Sequence, residues 1–318
     1  VTTIPQNQLG GMDIINYNVQ PNKFYYGDGK HYVVPAEKTV KANLGYSKQK
    51  DAYCIILVKG TWEVPNDIQF SNAQIIVVAE GGKIIFDGNA KFDSGARFIN
   101  KGTIETASGT ISIENYTEAQ ADCYNSGTMT LNNGGLSVAG NNSQLYNKGT
   151  MSMKYLDARG NCTFTNFGTL TAESTTKGNY TTDGQGTAAS NFRLINGCYT
   201  KINAMGIVYL VLCDNSRVDC STGIFTGGGN SGKIYFGKYT EVNAGDWHDN
   251  GGTFYGASSS SDYSVFKFTK SLTMDNSFST SGYLYYDGDF STEGKGYSSN
   301  TNWWASQNAT KITHTTSE

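Results

Sequence analysis

One short phrase, Asn-x-Gly-Thr followed by an apolar residue, occurs four times in the middle of this 318-residue chain. Its copies begin at Asn100, Asn125, Asn147 and Asn166. An apolar residue precedes each asparagine by two positions, and another follows it by four. A phrase that recurs about every 20 residues indicates stacked units, because one such unit cannot bury its own apolar face.

The apolar residues around each asparagine alternate with polar ones, as in a strand with one buried face. Short strands stacked about 4.8 Å apart, with turns between them, form a parallel β-helix. We therefore predict an all-β fold, a right-handed single-stranded parallel β-helix (β-solenoid) of roughly ten to eleven coils with about 20 residues each. Further copies extend the prediction in both directions: variants begin at Val58 and Glu80, looser copies lie around Asn196 and Asn215, and clear copies begin at Asn230 and Asn250.

The phrase also predicts how each corner is built. Asparagine tolerates the left-handed backbone region, so we expect it to turn the chain. Stacked asparagines are expected to form a ladder of amide hydrogen bonds along the stack. Glycine two positions later is expected to permit a second sharp bend without a Cβ penalty.

The phrase sets the predicted domain boundaries. Residues 1–50 lack it and are expected to form an N-terminal capping segment, since an uncapped stack leaves unpaired strand edges. Residues 51–290 form the predicted parallel β-helix, and residues 291–318 form a C-terminal capping tail. Within the helix, Ile111–Ile113 predicts an extra strand, 173–190 a projecting loop, and the apolar run Ile207–Leu212 a strand covered on both sides.

Charge and hydropathy argue against two classes of partner. The chain carries 24 Lys and Arg against 27 Asp and Glu, with four scattered arginines, whereas phosphate binding needs a concentrated positive surface. We therefore predict no nucleic-acid partner. No apolar run approaches the roughly 20 residues of a membrane span, so we predict no transmembrane segment in this chain. The low charge content and the abundance of Ser, Thr, Asn, Gly and Tyr favour an exported protein.

The spacing of the six cysteines does not indicate a disulfide framework. Cys123 occupies a buried position of its coil, and Cys54 and Cys162 fall nearly in step with it, so these three are expected to be small core residues. Cys198, Cys213 and Cys220 lie closer together in sequence, and whether any two of them form a disulfide stays open.

Three patterns bear on catalysis or metal binding. Asp214, Arg217 and Asp219 alternate, as the calcium ligands and basic residue of a polysaccharide lyase would on an outer sheet face, but an ordinary ion pair is the favoured interpretation. A second acidic cluster, which a glycosidase would need as paired carboxylates, is explained as well by turns beside glycine: Asp246, Asp249, Asp287 and Asp289, with His248. Calcium at Asp287–Asp289 is a weak expectation, and the histidines share no zinc spacing. We predict no cofactor and no catalytic residues.

Tyrosine and tryptophan are concentrated in the C-terminal third of the chain. An outward-facing aromatic row can stack against sugar rings or contact a protein, and it can equally stabilise the sheet by stacking of neighbours. The candidate binding residues are Tyr209, Tyr235, Tyr239, Trp247, Tyr255, Tyr283 and Tyr285.

The run of Asn-x-Gly-Thr units, introduced by Val33–Thr39 and Val58–Trp62, resembles the β-helical region of Bacteroidetes cell-surface proteins described as adhesins or surface lipoproteins. The resemblance covers residues of about 30 to 255 and implies a fold, with no catalytic residues to transfer. It further implies an exported, surface-attached protein. The cysteine that would carry the lipid lies outside this chain, so the mode of anchoring stays open.

The sequence thus favours a non-catalytic cell-surface or secreted protein that acts in adhesion or glycan binding. Its expected partner is an extracellular polysaccharide or a host or cell-surface glycoprotein. One alternative is a polysaccharide lyase or glycoside hydrolase with its site on one sheet of the helix. Another is a structural stalk that displays a further domain.

Overall fold

The structure is a computed structural model that describes residues 25–26, 32–41, 55–71, 74–114, 121–139, 143–158, 162–175, 193–226, 232–250, 253–262, 264–275, 279–287 and 302–305. The chain forms two compact units, Val1–Met153 and Lys154–Glu318. Apart from one short 3-10 turn at Ser260–Asp262, the regular structure described is all strand.

The first unit contains short strands separated by tight corners. Strand β16 (Thr150–Ala158) includes the boundary between the two units. The strands before it are β1 (Tyr25–Tyr26), β2 (Tyr32–Val34), β3 (Thr39–Lys41), β4 (Ile55–Val58), β5 (Thr61–Val64), β6 (Ile68–Phe70), β7 (Ile75–Val78), β8 (Lys83–Phe86), β9 (Ala90–Asp93), β10 (Arg97–Asn100), β11 (Thr103–Thr106), β12 (Ile111–Glu114), β13 (Ala121–Asn125), β14 (Thr128–Ala139) and β15 (Ser143–Asn147).

The second unit contains fewer and longer strands. They are β17 (Thr163–Asn166), β18 (Thr169–Ser174), β19 (Arg193–Asn196), β20 (Tyr199–Ile207), β21 (Tyr209–Leu212), β22 (Arg217–Thr226), β23 (Lys233–Phe236), β24 (Glu241–Asn250), β25 (Thr253–Tyr255), β26 (Val265–Asp275), β27 (Ser279–Ser281), β28 (Tyr283–Asp287) and β29 (Asn302–Ala305).

Each unit has two parallel sheets, between which the chain passes once per coil. The first sheet of the N-terminal unit runs β2-β4-β7-β10-β13-β15, with β1 antiparallel at its edge, and its second sheet runs β3-β5-β8-β11-β14. A third row, β6-β9-β12, continues onto the end of β14. In the C-terminal unit the first sheet runs β17-β19-β21-β23-β25-β27 and the second runs β18-β20-β22-β24-β26-β28-β29. The prediction of a parallel β-solenoid is confirmed, and the number of coils differs somewhat from ten to eleven.

The core of each unit lies between its sheets and is filled by every second strand residue. Along β10 and β11, Phe98 and Ile104 are buried whereas the residues beside them are half-buried, which is the predicted period of two. An aromatic chain, Trp62 to Phe70 to Phe92 to Phe98, crosses the core of the N-terminal unit with ring centroids 6.1, 4.9 and 5.3 Å apart. Such contacts stabilise the coil-to-coil register beyond the burial of area alone.

The predicted asparagine ladder is present. The Nδ2 atom of Asn100 donates to Oδ1 of Asn125 at 2.7 Å, and Nδ2 of Asn125 donates to Oδ1 of Asn147 at 2.8 Å. In the C-terminal unit, Asn166 donates to Asn196 in the same way at 3.1 Å. All of these side chains are fully buried, so the ladder satisfies amide groups that would otherwise be costly inside the core.

The predicted roles of asparagine and glycine in the backbone of the corner are wrong. None of the ladder asparagines is among the described residues with positive φ, because each is still the last residue of a strand. The turn is closed by the next two residues, whose backbone N–H groups both bond the asparagine carbonyl of the preceding coil: Ser126 and Gly127 donate to Asn100 at 2.8 and 3.2 Å.

Glycine at the corner is required by close approach of the chain to itself. Gly102, Gly127 and Gly149 have no positive φ, but a Cβ on Gly127 would collide with the carbonyl oxygen of Gly102, and one on Gly149 with that of Gly127. The carbonyl group of one coil therefore lies where the side chain of the next would be. Positive φ is confined among described glycines to Gly81, Gly95 and Gly282.

Several smaller predictions can be compared with the structure. The extra strand at Ile111–Ile113 is confirmed as β12. The strand predicted over Ile207–Leu212 is confirmed in part as β21, which begins at Tyr209 because β20 ends at Ile207. It is not covered on both sides, since Tyr209 and Val211 face outward and are only half-buried. Most of the predicted 173–190 loop lies outside the described residues. The domain boundaries at 50 and 290 stay a prediction.

Four of the five described cysteines are buried, and Cys213 is half-buried. Cys123 and Cys162 are buried and free, as predicted, and Cys54 lies outside the described residues. Cys198, Cys213 and Cys220 are also free, so the structure contains no disulfide among these three.

Candidate functional site

Three of the predicted binding residues lie together on the outer face of the first sheet in the C-terminal unit. Tyr209, Tyr235 and Tyr255 lie on the neighbouring strands β21, β23 and β25, and all three side chains are half-buried. Tyr235 and Tyr255 are direct cross-strand partners, and Tyr209 is offset by two residues along its strand. We call these three residues the tyrosine strip.

The rings of the strip pack against one another. Tyr235 and Tyr255 are stacked, with centroids 4.5 Å apart and planes at 6°, while Tyr209 and Tyr235 are tilted at 58° with centroids 5.7 Å apart. The stacking distance is close to the spacing of about 4.8 Å between strands, so the sheet itself sets the rings in contact. Stacking of neighbours, one of the two interpretations of the sequence, is therefore observed.

Stacking occupies ring faces and leaves the phenolic hydroxyls available. The hydroxyl groups of Tyr209, Tyr235 and Tyr255 make no hydrogen bond to any part of the chain that the structure describes. By contrast, the hydroxyl of Tyr146, which lies on the first sheet of the N-terminal unit, donates to Gln144 at 2.6 Å. The strip thus presents three donors and acceptors that are held in place by packing and are free to bind a polar ligand.

Two cations flank the strip. The guanidinium carbon of Arg193 lies 5.6 Å from the ring centroid of Tyr209, a distance at which the cation and the ring attract. Lys233 is exposed and is the cross-strand partner of Tyr209 on the other side, so that Arg193, Tyr209 and Lys233 form one row. The other outward positions of the first-sheet strands β17, β19, β21, β23 and β25 hold no carboxylate; they are Thr163, Thr165, Ile195, Val211 and Thr253.

The sequence did not point to these two cations, and for Lys233 the reason is that the repeat placed its strand in the second sheet. The phrase copies at Asn230 and Asn250 resemble the earlier corners, after which the chain enters the second sheet. In the structure, β23 and β25, which follow these two copies, belong to the first sheet. The place of Asn196 in the column of asparagines is taken in the next coils by Leu212 and Phe236.

The other four predicted binding residues are not part of the strip. Tyr239 is 43% exposed at a turn with φ of 55°, where its N–H donates to the carbonyl of Asp262 at 2.7 Å. Tyr283 is half-buried on β28 of the second sheet. Trp247 and Tyr285 lie on β24 and β28 of the second sheet, and their side chains lie outside what the structure describes.

The residues considered for a lyase site form a closed polar network on the second sheet. Asp219 accepts hydrogen bonds from Arg217 Nε at 2.9 Å, Asn243 Nδ2 at 2.8 Å and the Tyr199 hydroxyl at 2.8 Å. Burial alone would raise the pKa of Asp219, but these bonds hold it below its ordinary value. Burial and the bond to Asp219 raise the pKa of Tyr199 to about 12.

This network is the ion pair that the sequence favoured. Asp214, the third residue of the pattern, is exposed and instead accepts the backbone N–H of Lys238 at 2.8 Å, where it closes a turn. Asp219 is therefore engaged with protein donors, and Arg217 is neutralised by it. The arrangement stabilises the outer face of β20, β22 and β24.

Asp219→Asn is expected to lower stability in a pH-dependent way. The folded pKa of Asp219 lies below the ordinary value of about 3.9, so its contribution is present above that value and is lost as pH falls through the lower folded pKa. Because the group is partly exposed, we expect a melting temperature only about 2 °C lower than that of the wild type at pH 6, with the gap closing towards pH 2. Thermal melts of Asp214→Asn, an exposed carboxylate, supply the control. A difference in melting temperature between wild type and Asp219→Asn that is the same at every pH would contradict the lowered pKa of Asp219.

The second acidic cluster is described only in part. Asp246, His248 and Asp249 lie on β24 and Asp287 ends β28, but their side chains, and Asp289 altogether, lie outside the described residues. Calcium at Asp287–Asp289 therefore stays a prediction. Among the residues that are described, no group of three or more His, Cys, Asp or Glu side chains is placed to hold a metal ion.

Comparisons with protein-family models, with curated proteins and with solved structures gave no match. The resemblance to Bacteroidetes surface proteins thus rests on the repeat, of which the solenoid fold is confirmed. Over the described part of the chain, no helix has the length and apolar character needed to cross a membrane.

Proposed function

We propose that this chain is a non-catalytic protein of the cell surface or the extracellular space, whose tyrosine strip binds a glycan. The expected partner is an extracellular polysaccharide or the glycan of a host or cell-surface glycoprotein, and the expected role is adhesion. The observation that carries the proposal is the row of three packed tyrosines whose hydroxyls have no partner in the described chain.

The strip suits a polar, extended ligand better than a compact one. It lies on a sheet face that continues over several strands and has short threonine side chains beside it, so a long polymer meets no obstruction from these positions. Ordered hydroxyls bind sugar hydroxyls at little cost in side-chain entropy, because the stacked rings are already immobilised. Repetition of the same contact along a polymer then adds affinity.

The double variant Tyr235→Phe/Tyr255→Phe is expected to weaken glycan binding about tenfold, since two hydrogen bonds are each worth about 0.5–1.5 kcal/mol. The rings and their stacking remain, so the melting temperature should stay within about 2 °C of the wild type. Binding is measured on a panel of soluble polysaccharides by isothermal calorimetry. The panel also includes an assay for newly formed chain ends.

Tyr146→Phe is the matched control, because it removes an exposed tyrosine hydroxyl from the other unit. Equal binding by the wild type, the double variant and Tyr235→Ala/Tyr255→Ala would overturn the proposal. Binding of no polysaccharide in the panel would favour a structural stalk. New chain ends would favour a lyase or hydrolase.

A further inference from the structure

The face that carries the tyrosine strip is positively charged. Arg193 and Lys233 are the cross-strand neighbours of Tyr209 on either side, so two strand spacings, or about 10 Å, separate the strands that carry the two cations. The outward positions of the first-sheet strands β17, β19, β21, β23 and β25 include these two cations and no anion. An outer sheet face with an uncompensated charge of one sign attracts ligands of the other sign.

Three other outward cations of the described sheets pair with acidic residues. Lys83 pairs with Glu105 at 2.9 Å and Lys91 with Glu114 at 3.0 Å across neighbouring strands of the N-terminal unit. Within the C-terminal unit, Arg217 pairs with Asp219 at 2.9 Å. Arg193 and Lys233 have no such partner in the described chain, so their charges remain available to a ligand.

Arg193 is held ready for an anion. The ring of Tyr209 restricts its guanidinium group, and no carboxylate of the described chain pairs with it. A planar guanidinium binds carboxylate or sulfate oxygens in pairs, which gives the strongest class of hydrogen bond. A preordered group also loses less side-chain entropy when it binds.

We propose that the strip selects an acidic glycan, a polymer whose sugars carry carboxylate or sulfate groups. The acidic groups bind Arg193 and Lys233, and sugar hydroxyls bind the hydroxyls of Tyr235 and Tyr255. This inference rests on the proposed glycan-binding function and names the class of glycan. It makes Arg193 and Lys233 specificity-determining residues.

The test compares four probes: polygalacturonate, which carries carboxylates; chondroitin sulfate, which also carries sulfates; neutral dextran; and polyglutamate, an anion that is not a sugar. For Arg193→Gln/Lys233→Gln in the full chain, we expect binding of the acidic glycans to fall about tenfold and any binding of dextran to stay unchanged. Raising NaCl from 50 to 500 mM should weaken acidic-glycan binding by the wild type, because salt screens exposed charges. The ratio of affinities for the first two probes identifies which acidic group is preferred.

Lys59→Gln/Lys148→Gln is the matched control, since it removes the same charge from two exposed corner lysines. Lys233→Gln alone changes only an exposed side chain, so it tests the inference even if the Arg193 variant misfolds. Unchanged acidic-glycan binding in these strip variants, or polyglutamate binding as tight as that of polygalacturonate, would overturn the inference. Tyrosine-dependent binding with no preference for acidic glycans would overturn the inference alone, whereas glycan binding that ignores the tyrosines would overturn the proposed function as well.

Discussion

Gly127→Ala is expected to destabilise the N-terminal unit by about 3 kcal/mol or more, because the new methyl group would overlap backbone atoms on a neighbouring coil. Its Cβ would meet the carbonyl oxygen of Gly102, and the carbonyl oxygen of Gly127 itself occupies the corresponding place at Gly149. Backbone on both sides cannot rotate away as a flexible side chain would. Relief would require the stacked coils to separate and so would stretch the strand pairing of β11 with β14.

The measurement is the midpoint of urea denaturation, with Gly81→Ala as the matched control. Gly81 has a φ of +80° and open space around its would-be Cβ, so alanine there carries only a conformational cost of about 1–2 kcal/mol. At Gly127 alanine can adopt the backbone conformation, but there is no space for its Cβ atom. A larger loss for Gly81→Ala than for Gly127→Ala would show that the bend, and not the close approach, makes glycine necessary at the corner.

The corner shows how far sequence reasoning reaches in this molecule. The Asn-x-Gly-Thr phrase predicted the strands, the parallel stack and the amide ladder, because repetition brings identical residues into register. It did not reveal why glycine is needed, because the clash at Gly127 is with residues one coil away. Contacts between coils depend on the axial approach of two backbones, and the phrase contains no information about that distance.

The candidate site was predicted only in part, because contacts between coils also determine which side chains lie beside the tyrosines. Tyrosines at alternate positions identified an outer aromatic row, and Tyr209, Tyr235 and Tyr255 do contact one another. Lys233 was missed because the copy of the phrase before it precedes a different corner, and Arg193 was missed because its position beside Tyr209 depends on strand pairing. When the interval between copies changes, register can be assigned only from the strand pairing itself.

For the ion pair of Arg217 and Asp219, the sequence predicted the two residues but not their hydrogen-bond partners. The alternation of Arg217 and Asp219 correctly predicted side chains on one outer face, and their ion pair at 2.9 Å is observed. What the pattern lacked were the partners from neighbouring strands, Tyr199 and Asn243, which complete the hydrogen bonding of the carboxylate. A carboxylate that accepts bonds from three protein groups has little capacity left to act as a general base.

Asn125→Ala is expected to cost about 3 kcal/mol, because it breaks the amide ladder at its centre and leaves buried polar groups on both sides. Asn125 accepts from Asn100 and donates to Asn147, and all three side chains are completely buried. Asn125→Asp should be at least as harmful, since it replaces a donor with a buried negative charge. Denaturation midpoints for these variants are compared with that of Asn133→Ala, an exposed asparagine, which should change stability by less than about 0.5 kcal/mol.

The same column of the structure supplies a sharper test. The place of the asparagine is taken by valine in the preceding coils, where Val58 and Val78 are fully buried in register with Asn100. Oδ1 of Asn100 has no hydrogen-bond partner among the described residues, as expected where the ladder begins beside Val78. This buried position therefore accommodates either a continuous column of apolar side chains or a column of paired amides. Stability is lost where the two kinds of column meet.

It follows that replacing Asn100, Asn125 and Asn147 together by valine should cost less than the sum of the three single valine substitutions. Each single change removes the ladder partner of an amide group on a neighbouring asparagine, whereas the triple change removes these amide–amide bonds of the N-terminal unit together with the groups that make them. We expect the difference to be about 2 kcal/mol or more, which is well within the precision of a comparison of denaturation midpoints. Strictly additive losses would mean that the asparagines act one by one through their own corners, and that the bonds between the amides contribute nothing to holding the coils in register.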